Sequence, residues 1–193
     1  MIHCKLYLKK LLLWTKRLLN EATLFSPSNI AWRRKFNYVR EPKIIDISWQ
    51  KVYTTGVIVV PIDEVYGRIR TLEGLKITPI KNTPHYQWIN DIINGADDSV
   101  SRATYYDYSK KFFPEEDAGN QLNIIVEMAK SFKKQGGIEN TDIVTFLPVL
   151  NENSTYFVVL YDGTHRLSIA TALGYKFIKC HVVQEKINIH DFI

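Results

Sequence analysis

TYFVVLYDGTHRLSIATALGYKFIKCHVV, Thr155 to Val183, is the stretch whose reading decides the fold. Its β-branched and aromatic run, Thr155 to Tyr161, reads as a strand that stops at Asp-Gly-Thr. The small-residue segment from His165 to Leu173 reads as a short helix with Gly174 as its carboxyl-terminal cap. Phe177 to Val183 reads as another strand. Working outward, Ile143–Leu150 is a strand joined to the first by the turn NENS, 151–154, which makes a hairpin. Before it, Leu122, Ile125, Val126, Ala129 and Phe132 recur at i, i+3, i+4 spacing, and Gly136-Gly137 follows, so a helix is expected over Ala118–Gln135. VIVVPIDEV reads as an opening strand, Val57 to Ile62. Residues 66–113 carry scattered Gly and Pro with many aromatics and suggest an insertion with short helices over roughly 85–94 and 101–112.

A strand that feeds a helix through a glycine aims the first N–H groups of that helix at whatever lies beyond the strand end. Those groups lack intrahelical partners and carry partial positive charge, which makes an anion site. Gly163 permits close backbone approach or a positive φ. Thr164 is expected to cap the helix through its hydroxyl. His165 and Arg166 are cations or potential cations where the helix dipole favours acids, an arrangement that suits a bound anion, and the guanidinium fork fits phosphate oxygens. The structural alternative is that Arg166 pairs with Asp162 and the glycine only turns the chain.

The chain has 193 residues, 46% hydrophobic, with a formal net charge of +5. The length supports one domain with its own core, and the charge suits an acidic partner. From Lys5 to Arg40 there are nine Lys or Arg and one acid, Glu21, while the remainder is close to balanced. Residues 1–50 are therefore read as a basic arm and 51–193 as a single domain with the insertion 66–113. Within the arm, Leu8, Leu11, Leu12, Leu18, Leu19 and Ala22 share one helical face and lysines and Arg17 the other. Residues 5–22 thus suit an anionic membrane surface, or docking on the protein itself or on a second copy as a homodimer. WRRKF, Trp32 to Phe36, adds cationic and aromatic groups. No apolar run in the arm approaches the roughly 20 residues of a span. Cys4 and Cys180 stand alone, without metal-ligand spacing, so a reducing, cytoplasmic setting is expected, with any membrane contact peripheral and on the inner face.

The segment 118–183, with VIVVPIDEV at 57–65, resembles the ParB/sulfiredoxin superfamily. The matching features are the helix before a hairpin, Pro148-Val149, and DGTHR followed by a small-residue helix, Leu-Gly and a strand. The resemblance implies an α/β (α+β) fold, a small mixed sheet with helices, here extended by the helical insertion and the basic amphipathic amino-terminal helix. It implies that Gly163, Thr164, His165 and Arg166 bind nucleotide phosphates, with Asp162 near a metal or the reacting group. No helix-turn-helix segment follows the core, which disfavours the chromosome-partition role and makes nucleic acid the weaker partner class. Thr164 stands where sulfiredoxins carry the nucleophilic cysteine. DGTHR is closest to the DGHHR of the free-serine kinases, whose second acid follows the opening strand, near Asp63 and Glu64. The expectation is an ATP- or ADP-dependent, Mg²⁺-requiring phosphotransferase acting on a hydroxyl of a sugar, glycan precursor or small polar metabolite. Its rival is a non-catalytic nucleotide- or DNA-binding module. Asp162, Asp63 and Glu64 are the candidate catalytic acids, and Asp162 the candidate Mg²⁺ ligand. His85, Tyr86, Tyr105, Tyr106 and Arg68 are candidates for the acceptor side, the aromatics alternatively forming a satellite core.

Overall fold

The structure, a computed structural model, describes residues 27–47, 50–135, 143–150 and 153–184. The amphipathic segment 5–22 lies outside the described residues, as do the first two residues of the NENS turn. The chain divides into two compact units, Met1–Tyr38 and Val39–Ile193. In the first, helix α1 (Pro27–Lys35) holds Trp32, and Trp32 and Phe36 are buried. The Arg33 guanidinium lies over the Tyr38 and Trp32 rings at 4.7 and 5.5 Å. These aromatics are therefore core-forming and not exposed anchors.

The second unit is built on an eight-stranded mixed sheet. Its strands are β1 (Lys43–Ile47), β2 (Gln50–Pro61), β3 (Val65–Thr71), β4 (Gly74–Pro79), β5 (Val144–Thr145), β6 (Val149–Leu150), β7 (Tyr156–Asp162) and β8 (Phe177–Val183). The order is β1-β2-β8-β5-β7-β3-β4, with β6 pairing the first two residues of β7. β3 runs parallel to β7, and β5 parallel to β8; the other pairings are antiparallel. Among the described residues four α-helices complete the unit: α2 (Pro84–Asn94), α3 (Ser99–Lys110), α4 (Glu115–Gln135) and α5 (Thr164–Ala172). α2 is their hub and packs on α3, α4 and α5.

The mixed α/β architecture matches the sequence reading, with three corrections. The sheet begins at Lys43, so residues 43–47 belong to it and not to the arm. The start of the segment read as a helical insertion is a hairpin, β3–β4, closed at Thr71–Gly74 with Gly74 at φ 137°; its α-helices are confined to Pro84–Asn94 and Ser99–Lys110. The reading missed the hairpin because Arg68 and Arg70 fall on strand positions that a buried sheet would fill with apolar residues. The strand read over Ile143–Leu150 is broken into β5 and β6, because Pro148 brings no N–H to the ladder and the β5–β7 register shifts between Val144 and Thr145.

β7 is buried along most of its length, as a central strand should be. By the two-residue period of a strand, Phe157, Val159 and Tyr161 point to one face. There Phe157 and Val159 join Ile45, Val52, Val144, Phe146 and Val183 in a core with Tyr161 packed against it. Val158, Leu160 and Asp162 share the other face. Asp162 ends β7, and the chain turns directly into α5.

Candidate functional site

Gly163 makes that turn. Its φ is 105°, in the left-handed region, and it occupies the amino-terminal cap of α5 with no side-chain cap hydrogen bond. Thr164 is therefore the first helical residue and not the cap. The Gly163 carbonyl accepts from the Leu167 N–H at 2.9 Å, so the N–H groups of Thr164, His165 and Arg166 form the unpaired first turn of the helix. A capping hydroxyl would have used one of them. This helix end opens on a cleft of about 1420 Å³, whose wall includes Asp162, Gly163, Thr164, His165 and Arg166.

Arg166 donates to Asp162 Oδ2 at 2.5 Å, across the turn from strand to helix, with both side chains mostly buried. The structural alternative weighed from the sequence is thus realised, and it does not remove the guanidinium from the cleft wall. A second arginine joins it. β3 places Val65 opposite Val158 and Tyr66 opposite Val159, which brings Arg68 level with Tyr161. Arg68 Nη2 donates to the Tyr161 carbonyl at 3.1 Å, and its guanidinium lies 4.8 Å from the Phe146 ring centre. Arg70, two residues on, lies over Phe113 at 5.4 Å, and its N–H donates to the Tyr108 hydroxyl at 3.1 Å. Arg68, Arg70, Asp46 and Tyr161 all line the cleft.

The same parallel register separates the proposed acids. Asp63 and Glu64 lie in the 3₁₀ turn before β3, level with the start of β7, while Asp162 ends it six residues on, roughly 20 Å at about 3.3 Å per residue. Neither lines the cleft. Asp63 is 80% exposed and pairs with Lys81 at 2.8 Å, which holds its carboxyl below the usual range. The expectation of a base after the opening strand is corrected on this ground: the strand that follows those acids runs parallel to β7, so they stand at its beginning and not at its end.

The opposite wall comes from α2 and α3. Thr83 caps α2 by accepting the Tyr86 N–H at 3.2 Å, Pro84 starts the helix, and Gly95 ends it at φ 67°. His85, Trp88, Ile89 and Ile93 form its buried stripe. Trp88 stacks on Tyr105 of α3 at 5.1 Å and donates its indole N–H to Asp98 at 2.9 Å; it belongs to the core. The Tyr105 hydroxyl and His165 Nε2 share a hydrogen bond of 2.9 Å. The His85 ring lies 4.9 Å from His165, 5.2 Å from Tyr105 and 5.4 Å from Tyr108. Burial, with Arg166 adding to it, lowers the His165 imidazole to about 4. Burial, then His165, takes His85 well below the ordinary histidine range. Both rings are therefore neutral near pH 7. Burial also raises the Tyr105 and Tyr108 phenols.

His85, Tyr105 and Arg68 thus meet the loop, while Tyr86 and Tyr106 do not line the cleft. Tyr86 donates to Asn90 and Tyr106 to Glu115. The sequence reading passed over Asp46, Phe146 and Tyr161; the alternation of Phe157, Val159 and Tyr161 could have placed the last. Among the described residues no group of three His, Cys, Asp or Glu side chains converges as a metal site. No helix among the described residues is long and apolar enough to cross a membrane. Comparisons with protein-family models, curated proteins and solved structures returned no match.

Proposed function

We propose that the cleft binds a nucleotide, its phosphates at Gly163–Arg166, and that with Mg²⁺ the protein transfers a phosphoryl group from ATP or ADP to a hydroxyl of a sugar, glycan precursor or small polar metabolite. The observation that carries the reading is the uncapped amino end of α5, opening on a large cleft beside Arg166 and Arg68. The resemblance of DGTHR and its flanking strands to ParB/sulfiredoxin proteins points the same way.

Phosphoryl transfer depends chiefly on positioning and charge neutralisation. The first-turn N–H groups and Arg166 would hold the phosphates, and Arg68 would add positive charge next to them. Mg²⁺ is commonly held by one or two carboxylates together with the phosphates themselves. Asp162 fits that role through the oxygen that Arg166 does not engage, so the lack of a three-residue cluster does not count against the fit. In the transfer the acceptor oxygen forms its bond to phosphorus as the bond to the leaving nucleotide breaks. The electron pair leaves with the nucleotide, and the hydroxyl proton passes to Asp162 or to solvent. One observation favours a second reading, a non-catalytic nucleotide-binding module: the second carboxylate expected beside Asp162 is at the far end of β7. Peripheral membrane contact through residues 5–22 belongs to the same proposal and rests on the basic amphipathic pattern alone.

The test is calorimetric titration with ATP, ADP, CTP and GTP in the presence of Mg²⁺. Saturable binding is expected, lost in Arg166→Ala and weakened in Arg166→Lys, with thermal melts confirming that both variants fold. Absence of binding by all four nucleotides would sink the reading. Binding without turnover across a panel of hydroxyl acceptors would select the non-catalytic module.

A further inference from the structure

We propose that Arg70 and the Tyr108 hydroxyl, supported by the charge of Arg68, form a second oxyanion subsite in the cleft, so that the hydroxyl acceptor is itself an acid, held by a carboxylate or a phosphate ester. The subsite rests on the phosphate reading above in assigning this acid group to the acceptor and not to the donor. Its basis is a pair of hydrogen-bond donors that the protein leaves without acceptors. Arg70 lines the cleft, its guanidinium over the Phe113 ring at 5.4 Å. Stacking of that kind fixes the plane of the guanidinium and leaves its N–H edge open. Among the described residues that guanidinium has no hydrogen-bond acceptor and no carboxylate in ion-pair range. Tyr108, on the same wall, supplies the second donor. Its oxygen accepts the Arg70 backbone N–H at 3.1 Å, so its own proton is left to donate, and nothing among the described residues receives it. Burial holds the phenol above its ordinary range, so that proton is present at neutral pH.

The rest of the wall selects the sign of the partner. Arg68 is pinned by the Tyr161 carbonyl and the Phe146 ring, two residues before Gly163 or roughly 7 Å along the strand. β3 runs parallel to β7, so Arg70 stands beyond Arg68, on the side where β7 ends and Gly163 begins. By the two-residue period of a strand the two arginines leave the same face. Their like charges repel, and a bound anion relieves that repulsion. Among the described residues the acids of the wall are Asp46 and Asp162, and each has a basic partner of its own: Asp162 meets Arg166 at 2.5 Å and Asp46 lies 3.8 Å from Lys51. Ionised carboxylates and phosphates only accept hydrogen bonds, which matches a site made of donors. An ammonium would meet like charge there, and a neutral group would leave the positive charge uncompensated. In the reading above the phosphates of the donor take the first turn of α5 and Arg166, which leaves Arg70 and Tyr108 to the acceptor.

Calorimetry on the full chain tests this with two matched sets on a common hydroxyl skeleton: glycerate, glycerol 3-phosphate and glycerol, and glucuronate, glucose 6-phosphate and glucose. Each is titrated into protein already saturated with Mg²⁺-tripolyphosphate. In at least one set an acid is expected to bind about tenfold or more tighter than its neutral counterpart, the worth of a charge-assisted hydrogen bond. Whether the carboxylate or the phosphate ester leads names the acid group. Arg70 is exposed, so Arg70→Gln is expected to melt with the parent, to abolish the preference for the acid, and to leave tripolyphosphate within about threefold. Arg70→Lys, which keeps the charge, is expected to retain part of the preference, and Tyr108→Phe to weaken the acid about three- to tenfold. Equal binding of acid and neutral members in both sets, or no binding by any of them, would overturn the subsite and leave the phosphate reading intact. A loss in Arg70→Gln as large for tripolyphosphate as for the acid would also overturn it, because Arg70 would then belong to the donor's phosphates. Failure of tripolyphosphate to bind the parent protein would remove the phosphate reading alone. The same sets titrated into the free protein then decide the subsite: an acid preference lost in Arg70→Gln upholds it, and no preference overturns it.

Discussion

Gly163 does two things that an alanine could not. Its φ of 105° is strained for any residue with a Cβ, and an added Cβ would lie 3.3 Å from Ile143 Cγ1 and 3.4 Å from Ile143 Cα. Gly163→Ala is therefore expected to lower stability by about 1–2 kcal/mol, the cost of a left-handed non-glycine residue, with a further loss of nucleotide affinity as α5 tilts. Denaturant unfolding reads the first effect and calorimetry the second; an unchanged midpoint would mean that the turn relaxes freely. The histidines give a pH signature. The unfolded chain protonates His165 near 6.5, whereas the folded chain resists until about 4. Between these values the unfolded state binds more protons, so stability rises with pH through the window and is fully present above about 6.5. His85 acts in the same direction. Unfolding free energies measured across that range should fall on acidification, and His165→Asn should flatten the slope. Gly163 and Arg166 were legible in the sequence because their chemistry is local. His85 follows Pro84 and reads as a surface histidine, yet it is buried; its i, i+3, i+4 relation to Trp88 and Ile89 could have shown that, but nothing in spacing reveals that the face across from it carries His165.

Elements in this fold are positioned by their ends as much as by their stripes. α2 starts at Thr83, fully buried, whose hydroxyl donates to the Ile80 carbonyl at 2.8 Å while accepting the Tyr86 N–H. Thr83→Ala is expected to cost about 1–2 kcal/mol, as for other amino-terminal caps, and to reduce ligand affinity, since His85 is the second residue of the helix. Denaturant unfolding and calorimetry on the same sample check both; a stability loss with affinity intact would uncouple α2 from the cleft wall. At this scale the sequence spoke clearly where a periodic pattern met a strong stop, as in α4. It spoke poorly for β3 and β4. Their pairing partners lie on each other and on β7, and Arg68 and Arg70 are there to line a cleft and not to fill a core. The acids at 63–64 were misplaced for a related reason: which end of β7 they occupy depends on the direction of β3, and direction is not a local property.

The whole second unit closes around β8, which lies between β2 and β5. Cys180 on that strand is fully buried, and burial raises its thiol above the usual range. In a Cys4→Ser background, labelling of Cys180 by a thiol reagent is expected to proceed only through global opening, and to match the unfolding equilibrium measured independently. Faster labelling would show that β8 detaches on its own. Length and apolar content anticipated a domain with its own core, but the strand order was beyond them.

That order has a bearing on how the protein comes into being. Thr55 donates to the Val182 carbonyl across 127 residues of chain, and Arg68 reaches Tyr161 across 93. As the chain leaves the ribosome, β2 and β3 are made early, and the neighbours that will seal their edges do not yet exist. Two hairpins with open edges must wait for the last third of the chain, a slow route exposed to misassembly. β7, which pairs β3, and β8, which pairs β2, are the pieces that end the wait. A nascent chain arrested before Asp162 therefore has neither a finished sheet nor the amino end of α5 in the cleft wall, and newly made protein gains its cleft and its protection from aggregation in a single late step.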